Sequence, residues 1–199
     1  MKKELLTEYE SKKEPIKKRL EQFKNLNEED YMDEFIFCLL TPQSNAQQCW
    51  KAVLEMKKYN YNESKILAIL ENKTRFHNNK TRYVLEGMKN WPGIKAELEK
   101  KQVQELRNWL ADNVKGYGLK EAGHFLRNIG KSDNKIAILD RHILKNLKEL
   151  AVIDIDKIKN KKHYFELESK FLDFSKQIKI PIDELDLLFW SSENGEIFK

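Results

Sequence analysis

The sequence has 199 residues, of which 40% are hydrophobic and 35% charged, and it carries a net charge of +5. This balance excludes disordered and collagen-like chains and is sufficient for a buried core in one domain or two packed halves. The moderate excess of basic residues is compatible with a nucleic-acid partner but does not by itself predict one, because a lysine-rich surface is often only solvated.

Cysteine usage and hydropathy limit the compartment and the chemistry. Cys38 and Cys49 do not form a CxxC pair, so they predict reduced core thiols and exclude a disulfide framework or a cysteine-ligated zinc or iron–sulfur site. No apolar run is long enough to span a bilayer, and the charged stretch MKKELLTEYESKKEP lacks the apolar core of a signal peptide. The sequence therefore predicts a soluble, cytoplasmic protein without a signal or transmembrane segment.

Apolar residues recur at helical spacing along most of the chain. In SKILAILEN and ILKNLKELAVI the large residues stand three and four apart, whereas sustained alternation of Val, Ile and Thr is missing. Asn27 and Asn62 are the predicted starts of two helices. The predicted breaks between helices are Thr41-Pro42, Asn72–Asn79, Trp91-Pro92-Gly93, Gly116–Gly118, Gly130–Lys135 and Ile180-Pro181. The predicted fold class is all-α.

Residues 102–130 combine two amphipathic segments, QVQELRNWLADNV and LKEAGHFLRNIG, with the turn KGYG between them. Gly116 and Gly118 permit backbone conformations that are closed to residues with a Cβ atom. The second segment then begins with uncovered N–H groups, which together with the helix dipole can bind phosphate. The unit predicts a helix–hairpin–helix that binds a nucleic-acid backbone without reading its sequence. An ordinary turn with a surface lysine explains these residues equally well.

Lys120 and Asp140 favour the nucleic-acid-binding hairpin over an ordinary turn. Lys120 lies on the first turn after the hairpin, and further along, in AILDRHIL, Asp140 follows an apolar run and precedes a new helix. Aspartate at that position is a good N-cap, which is the other explanation of this residue. If one of its oxygens instead faces a cleft beside Lys120, the amine and the carboxylate together suit covalent catalysis at a sugar C1′ carbon.

GYGLKEAGHFLRNIG followed by ILDRHIL resembles the helix-hairpin-helix DNA glycosylase superfamily. The resemblance implies two helical subdomains flanking an active-site cleft: residues 29–138, with the hairpin at about 102–130, and residues 1–28 together with 139–199. Members with the aspartate alone are monofunctional, and members that also have the lysine cleave abasic sites; this chain has both. Lys115 replaces the usual proline before the first glycine, a departure that touches the rigidity of the hairpin.

FCLLTPQSNAQQCW (37–50), RFHNNKTRYV (75–84) and DLLFWSSENGEIFK (186–199) resemble the archaeal-type 8-oxoguanine DNA glycosylase/AP lyase family over essentially the whole chain. The resemblance implies that Trp190 stacks on the extruded base. It also implies that the terminal Lys199, through its side chain and carboxylate, helps to separate 8-oxoguanine from guanine. An acceptor aimed at N7 favours the damaged base, which has an N7–H donor where guanine has a lone pair. A frayed end is the alternative explanation of EIFK.

Other residues are predicted to contact DNA away from the reacting carbon. Phe76 is assigned as a second stacking or wedge side chain, with a core aromatic as the alternative. Lys80 and Arg82 are predicted to face phosphates or the opposite strand, unless the basic turn is merely solvated. His124 and His142 are predicted to be structural. The predicted contacts to the DNA backbone are Gly116, Gly118, Gln43, Asn45 and Arg75.

The sequence therefore predicts a base-excision-repair enzyme that removes 8-oxoguanine from double-stranded DNA and cleaves the abasic site by β-elimination. The target nucleotide is flipped out, Lys120 attacks C1′ as a neutral amine to form a Schiff base, and Asp140 stabilises positive charge on the sugar. We expect a nucleoid-associated monomer without a cofactor or metal in the chemistry, except for a monovalent cation that hairpin carbonyls could bind. The alternatives are a glycosylase/lyase for oxidised pyrimidines and a non-enzymatic helix-hairpin-helix DNA-binding module.

Overall fold

The computed structural model describes residues 2–155 and 157–199. Ten α-helices and one short 3-10 helix make up the regular structure of these residues, which confirms the predicted all-α class. The 3-10 helix is Glu28–Asp30. The α-helices are α1 (Lys2–Lys24), α2 (Tyr31–Leu40), α3 (Ala46–Lys58), α4 (Glu63–Glu71), α5 (His77–Leu98), α6 (Val103–Asn113), α7 (Leu119–Asn128), α8 (Arg141–Glu149), α9 (Lys161–Ile178) and α10 (Ile182–Asn194).

The chain divides into two compact units. One unit is Leu26–Phe125, and the other combines Met1–Asn25 with Leu126–Lys199, so that α7 begins in the first unit and ends in the second. The structural division therefore falls after residues 25 and 125, whereas the sequence places the boundaries after residues 28 and 138.

Residues 126–138 belong to the unit that contains both ends of the chain, because polar side chains of this segment pair with residues of α10. The Arg127 guanidinium lies 3.4 Å from the Asp186 carboxylate, and both side chains are almost fully buried. Ser132 Oγ donates a hydrogen bond of 2.5 Å to Asp183. Burial raises the pKa of the Asp183 carboxyl. These buried contacts connect the end of α7 and the following loop to α10.

An aromatic cluster around Phe35 forms the core of the Leu26–Phe125 unit. The Phe35 ring centroid lies 5.2 Å from that of Trp91, 5.1 Å from Tyr117 and 5.8 Å from Phe125. Gly87 allows α5 to approach this cluster, because a Cβ atom there would lie 2.6 Å from Phe35 Cε1. The cluster packs α2 and α5 against the hairpin turn and α7.

The break predicted at Trp91-Pro92-Gly93 is wrong, because α5 runs through all three residues. Pro92 lacks an N–H and removes one helical hydrogen bond. Trp91, however, packs against both Phe35 and Phe125, and this packing holds the segment in the helix. Each of the other predicted breaks overlaps a gap between two consecutive helices.

In the second unit, α10 packs against both α1 and α9. Tyr9 donates a hydrogen bond of 2.6 Å from its hydroxyl to Glu184, and the Phe171 and Phe189 rings stack with centroids 6.1 Å apart. The repeating apolar side chains of α8 are buried as its sequence pattern predicts, but α8 itself ends at Glu149, before AVI.

The two cysteines and the helix compositions agree with the limits set by the sequence. Cys38 and Cys49 are buried, and neither is in a disulfide. Burial raises the pKa of the Cys49 thiol to about 11, and its Sγ donates to Leu40 O at 3.2 Å. Among the described residues, no helix combines the length and the apolar character needed to cross a membrane.

Candidate active site

The hairpin turn between α6 and α7 requires a glycine at position 116. Gly116 has a φ of +91°, and a Cβ atom there would lie 2.6 Å from the Tyr83 ring. Tyr117 is buried and donates from its hydroxyl to Phe35 O at 2.9 Å, which attaches the turn to the core. Gly118 lies outside the left-handed region, so the conformational reason that the sequence suggested for both glycines applies to Gly116 alone.

Gly118 has a different role, as the N-cap of α7. Its N–H donates to Glu121 Oε2 at 3.1 Å, and its carbonyl accepts from Ala122 N at 3.0 Å. A carboxylate three residues after the cap that bonds back to the cap N–H is one half of a capping box. The Gly118 N–H, predicted to be uncovered, is therefore covered in this structure.

The predicted nucleophile shares Glu121 with the hairpin. Lys120 Nζ lies 3.1 Å from Glu121 Oε1, and 24% of the lysine side chain is exposed. One carboxylate thus contacts both the hairpin N–H and the Lys120 ammonium. The sequence interpretation missed Glu121, although the three-residue spacing from Gly118 to Glu121 is a recognisable capping signal.

Asp140 is the N-cap of α8, as predicted. Its Oδ1 accepts two hydrogen bonds, from His142 N at 2.8 Å and from Ile143 N at 2.9 Å. Its Oδ2 has no hydrogen-bond partner among residues 2–155 and 157–199. Because one oxygen provides the whole cap, the second oxygen of this half-buried carboxylate remains available for chemistry.

The two candidate histidines differ in their surroundings. His124 is buried, and its ring lies edge-on to Phe37 with centroids 5.6 Å apart, which fits the predicted structural role. His142 is half-buried and lies against Trp190, with ring centroids 5.2 Å apart. His142 Nε2 also accepts from Arg141 Nε at 3.1 Å. His142 therefore supports the ring that is predicted to stack on the base.

The segment after α10 is docked. Gly195 ends α10 with a φ of +76°, and its N–H donates to Ser191 O at 2.8 Å. Lys199 is only 9% exposed. A frayed end, the alternative explanation of EIFK, does not fit this burial.

Two surface segments carry the remaining predicted DNA contacts. Gln43 and Asn45 are exposed, and Asn45 caps α3 by accepting from Gln48 N at 3.0 Å. Arg75 is also exposed, and its guanidinium carbon lies 5.5 Å from the centroid of the Phe76 ring. Phe76 is 53% exposed, so its alternative as a core aromatic is wrong.

Lys80 does not face solvent. It is 4% exposed, and its ammonium points into the protein, where it bonds to Leu40 O, Pro42 O and Ser44 Oγ. The prediction that it contacts phosphate is therefore wrong. Arg82, two residues later, is exposed, and either of its two sequence interpretations fits that position.

The predicted site residues are divided between the two units. The hairpin, Lys120 and the residues Gln43, Asn45, Arg75 and Phe76 belong to Leu26–Phe125, whereas Asp140, Trp190 and Lys199 belong to the other unit. Among the described residues, no group of three or more His, Cys, Asp or Glu side chains could hold a metal ion.

These features define an all-helical protein whose helix–hairpin–helix carries a lysine on the first turn of its second helix. The family model for 8-oxoguanine DNA glycosylase matches residues 16–180. The chain belongs to this 8-oxoguanine DNA glycosylase family, which confirms the resemblance found in the sequence.

Related proteins match over nearly the full length of both chains. A protein of Fusobacterium nucleatum named 8-oxoguanine DNA glycosylase/AP lyase is 43% identical, over 96% of this chain and 94% of its own. A protein of the same name from Methanocaldococcus jannaschii is 33% identical, over 94% and 93% of the two chains.

Solved structures show the same fold. The 8-oxoguanine DNA glycosylase of Thermotoga maritima matches with a TM-score of 0.89 and 30% identity, over 99% of this chain and 97% of its own. The 8-oxoguanine glycosylase/lyase of Methanocaldococcus jannaschii, in complex with a 15mer DNA containing 8-oxoguanine, matches with a TM-score of 0.87 and 31% identity, over 98% and 99% of the chains. The predicted helix-hairpin-helix glycosylase fold is thereby confirmed.

Proposed function

We propose that the protein removes 8-oxoguanine from double-stranded DNA and then cleaves the abasic site as a lyase. The observation that carries this proposal is the position of Lys120, directly after the Gly116–Gly118 hairpin, in a chain that matches the 8-oxoguanine DNA glycosylase family over residues 16–180. A lysine amine is the group that can both displace a base from C1′ and form a Schiff base.

Lys120 is the proposed nucleophile. After the ammonium gives up a proton, Nζ donates its electron pair to C1′, and the glycosidic bond breaks with its pair leaving on the base. Opening of the sugar ring gives the Schiff base, and loss of a C2′ proton expels the 3′ phosphate in β-elimination. Glu121, 3.1 Å from Nζ, holds the side chain beside the hairpin before the DNA binds.

Asp140 is the proposed charge stabiliser. Positive charge develops on the sugar as the base leaves, and a fixed carboxylate oxygen stabilises it without having to reorganise. Oδ1 is held by the N–H groups of His142 and Ile143 on the first turn of α8, so the carboxylate is fixed in orientation while Oδ2 is available to the sugar.

Three side chains are proposed to recognise the flipped base. Trp190 stacks on it, and His142 supports the tryptophan ring from 5.2 Å. The buried position of Lys199 suits a polar contact that separates 8-oxoguanine from guanine. Phe76 is the proposed wedge, since it is a large and exposed aromatic residue. Its left-handed backbone conformation is unfavourable, and strained positions of this kind are concentrated at functional sites.

The DNA backbone is proposed to bind at the first turn of α7 and at Gln43, Asn45 and Arg75. A monomer acting on DNA in the cytoplasm, at the nucleoid, is sufficient for this function. The chemistry uses an amine and a carboxylate and no metal ion. A monovalent cation at the hairpin stays a prediction: Val114 O and Gly118 O already accept backbone bonds, but each carbonyl has a second lone pair.

Borohydride trapping on a duplex with one 8-oxoguanine tests the proposal. We expect the wild-type protein to give a covalent complex and Lys120→Gln to give none. Lys115→Gln removes the other lysine of the hairpin, which is exposed, and should still trap. Trapping by Lys120→Gln at wild-type yield would exclude Lys120 as the nucleophile. A wild-type protein that binds the duplex but never traps would be a binding module, and excision of only oxidised pyrimidines would change the substrate.

A further inference from the structure

Lys80, on the first turn of α5, is a buried ammonium with all of its donors used. It is 4% exposed and donates to Leu40 O at 2.6 Å, Ser44 Oγ at 2.7 Å and Pro42 O at 2.8 Å. An ammonium has three donors, and burying one is costly unless they are paired. The three acceptors lie 36–40 residues earlier in the chain, so the contact is made entirely by the tertiary fold.

The three acceptors belong to the end of α2 and to the loop that follows it. Leu40 is the last residue of α2, where carbonyls lack helical partners and a cation is favoured by the helix dipole. Pro42 and Ser44 lie on either side of Gln43, whose φ is +54°. Lys80 therefore holds both neighbours of an exposed residue that has an unfavourable backbone conformation.

Ser44 extends the network to a second segment. Its Oγ, which accepts from Lys80, also accepts from Arg75 N at 2.9 Å. The next residue, Phe76, has a φ of +58°, and its carbonyl accepts from Lys80 N at 3.0 Å. Left-handed conformations at residues other than glycine persist only when their surroundings hold them.

We propose that Lys80 is the positioning residue that sets the segments 41–45 and 74–76 in the conformation that binds DNA. The inference rests on the proposed function, since that function makes Gln43, Asn45, Arg75 and Phe76 the DNA contacts. Lys80 is too deeply buried to contact DNA itself and acts through these residues.

Deprotonation of Lys80 is a second way to weaken these contacts, because a neutral amine has only two N–H donors for the three acceptors. Burial lowers the pKa of the Lys80 ammonium to about 8, and the positive charges of Lys120 on α7 and Arg75 act in the same direction. Cys49 on α3 is the other titratable group that interacts with Lys80. The acceptors from α2 and its following loop are neutral. Near pH 7 the ammonium form dominates, and near pH 9 most of Lys80 is neutral. The Cys49 thiol, with a pKa of about 11, stays protonated over this range.

The test compares Lys80→Met with Lys89→Met, which removes the same charge from an exposed position on the same helix. Without DNA, hydrogen exchange should become faster at residues 41–45 and 74–76 in Lys80→Met only. The Kd for a duplex with an uncleavable abasic-site analogue should rise by about 10–100-fold, the range expected when a DNA-contacting side chain is lost. The single-turnover rate at saturating enzyme is measured beside the Kd, because the charge of Lys80 also acts on Lys120 and a direct effect on the nucleophile would appear in that rate without weaker binding.

Each outcome bears on the inference separately from the proposed function. Unchanged exchange and unchanged Kd in Lys80→Met would overturn the inference while leaving the glycosylase activity intact. A loss confined to the single-turnover rate would also overturn it, since positioning of DNA contacts acts on binding. If the wild-type protein binds no DNA, the proposed function fails, and with it the inference.

If Lys80→Met does not fold, the wild-type protein itself provides the test. Raising the pH from 7 to 9 should then weaken the Kd in Lys89→Met and in wild type alike, with faster exchange at 41–45 after correction for the intrinsic effect of pH. An unchanged Kd and unchanged corrected exchange over that range would overturn the inference.

Discussion

Substitution of Asp140 separates its two roles, because only one of its oxygens is used in the cap. Asp140→Asn keeps Oδ1, which accepts the bonds of 2.8 and 2.9 Å from the first turn of α8, and loses only the charge. The lost attraction to the helix dipole costs about 0.3–1 kcal/mol. Asp140→Ala loses both the cap and the charge, at about 0.5–2 kcal/mol in total. At about 2–4 °C per kcal/mol for a chain of this size, we expect Tm to fall by less than about 4 °C in the first variant and by about 1–8 °C in the second.

The rate of excision should depend on the negative charge of Asp140 and not on its role as the N-cap of α8. Both variants lose the carboxylate that stabilises the sugar cation, so single-turnover excision of 8-oxoguanine at saturating enzyme should fall by about 10²–10³-fold in each. The control is Asn160→Ala, which removes the cap of α9, where Asn160 accepts from His163 N at 2.9 Å. It should lower Tm and leave excision unchanged. Excision by Asp140→Asn within a few-fold of wild type, or an equal loss in Asn160→Ala, would refute the electrostatic role.

Four further outcomes are expected. The logarithm of the duplex affinity should fall linearly with the logarithm of salt concentration, by about 0.9 per phosphate contacted, and a flat response would argue against a phosphate-binding hairpin. Deleting Lys199 should cost about 1–3 kcal/mol in transition-state stabilisation on 8-oxoguanine and leave cleavage of a preformed abasic site intact; equal losses on both substrates would make the docked end purely structural. Phe76→Ala should weaken binding of lesion duplex without lowering Tm, since the ring is 53% exposed, and a large drop in Tm would show that the ring is a packing residue. Glu121→Gln should keep the Gly118 cap and slow borohydride trapping at saturating DNA, because Lys120 loses its ion pair; trapping at the wild-type rate would show that Glu121 acts only as a cap.

The sequence by itself determined the features that depend on near neighbours. The caps at Asn62 and Asp140 are bonds to N–H groups two or three residues away, so the residue type and its place before a helix are enough to predict them. The turn at Gly116 is also local, since its φ of +91° suits glycine. For the same reason the fold class, the hairpin and the position of Lys120 on the new helix could be predicted.

The tertiary structure decided the features that depend on distant residues. Pro92 stays inside α5 because Trp91 packs on Phe35 and Phe125, a contact that no local pattern contains. In the sequence, Lys80 is one of several cations in a basic turn, and only the fold brings its three acceptors around it. The energy of a buried charge depends on whether such partners are present, and the partners of Lys80 lie 36–40 residues away, beyond the range of any helical or turn pattern.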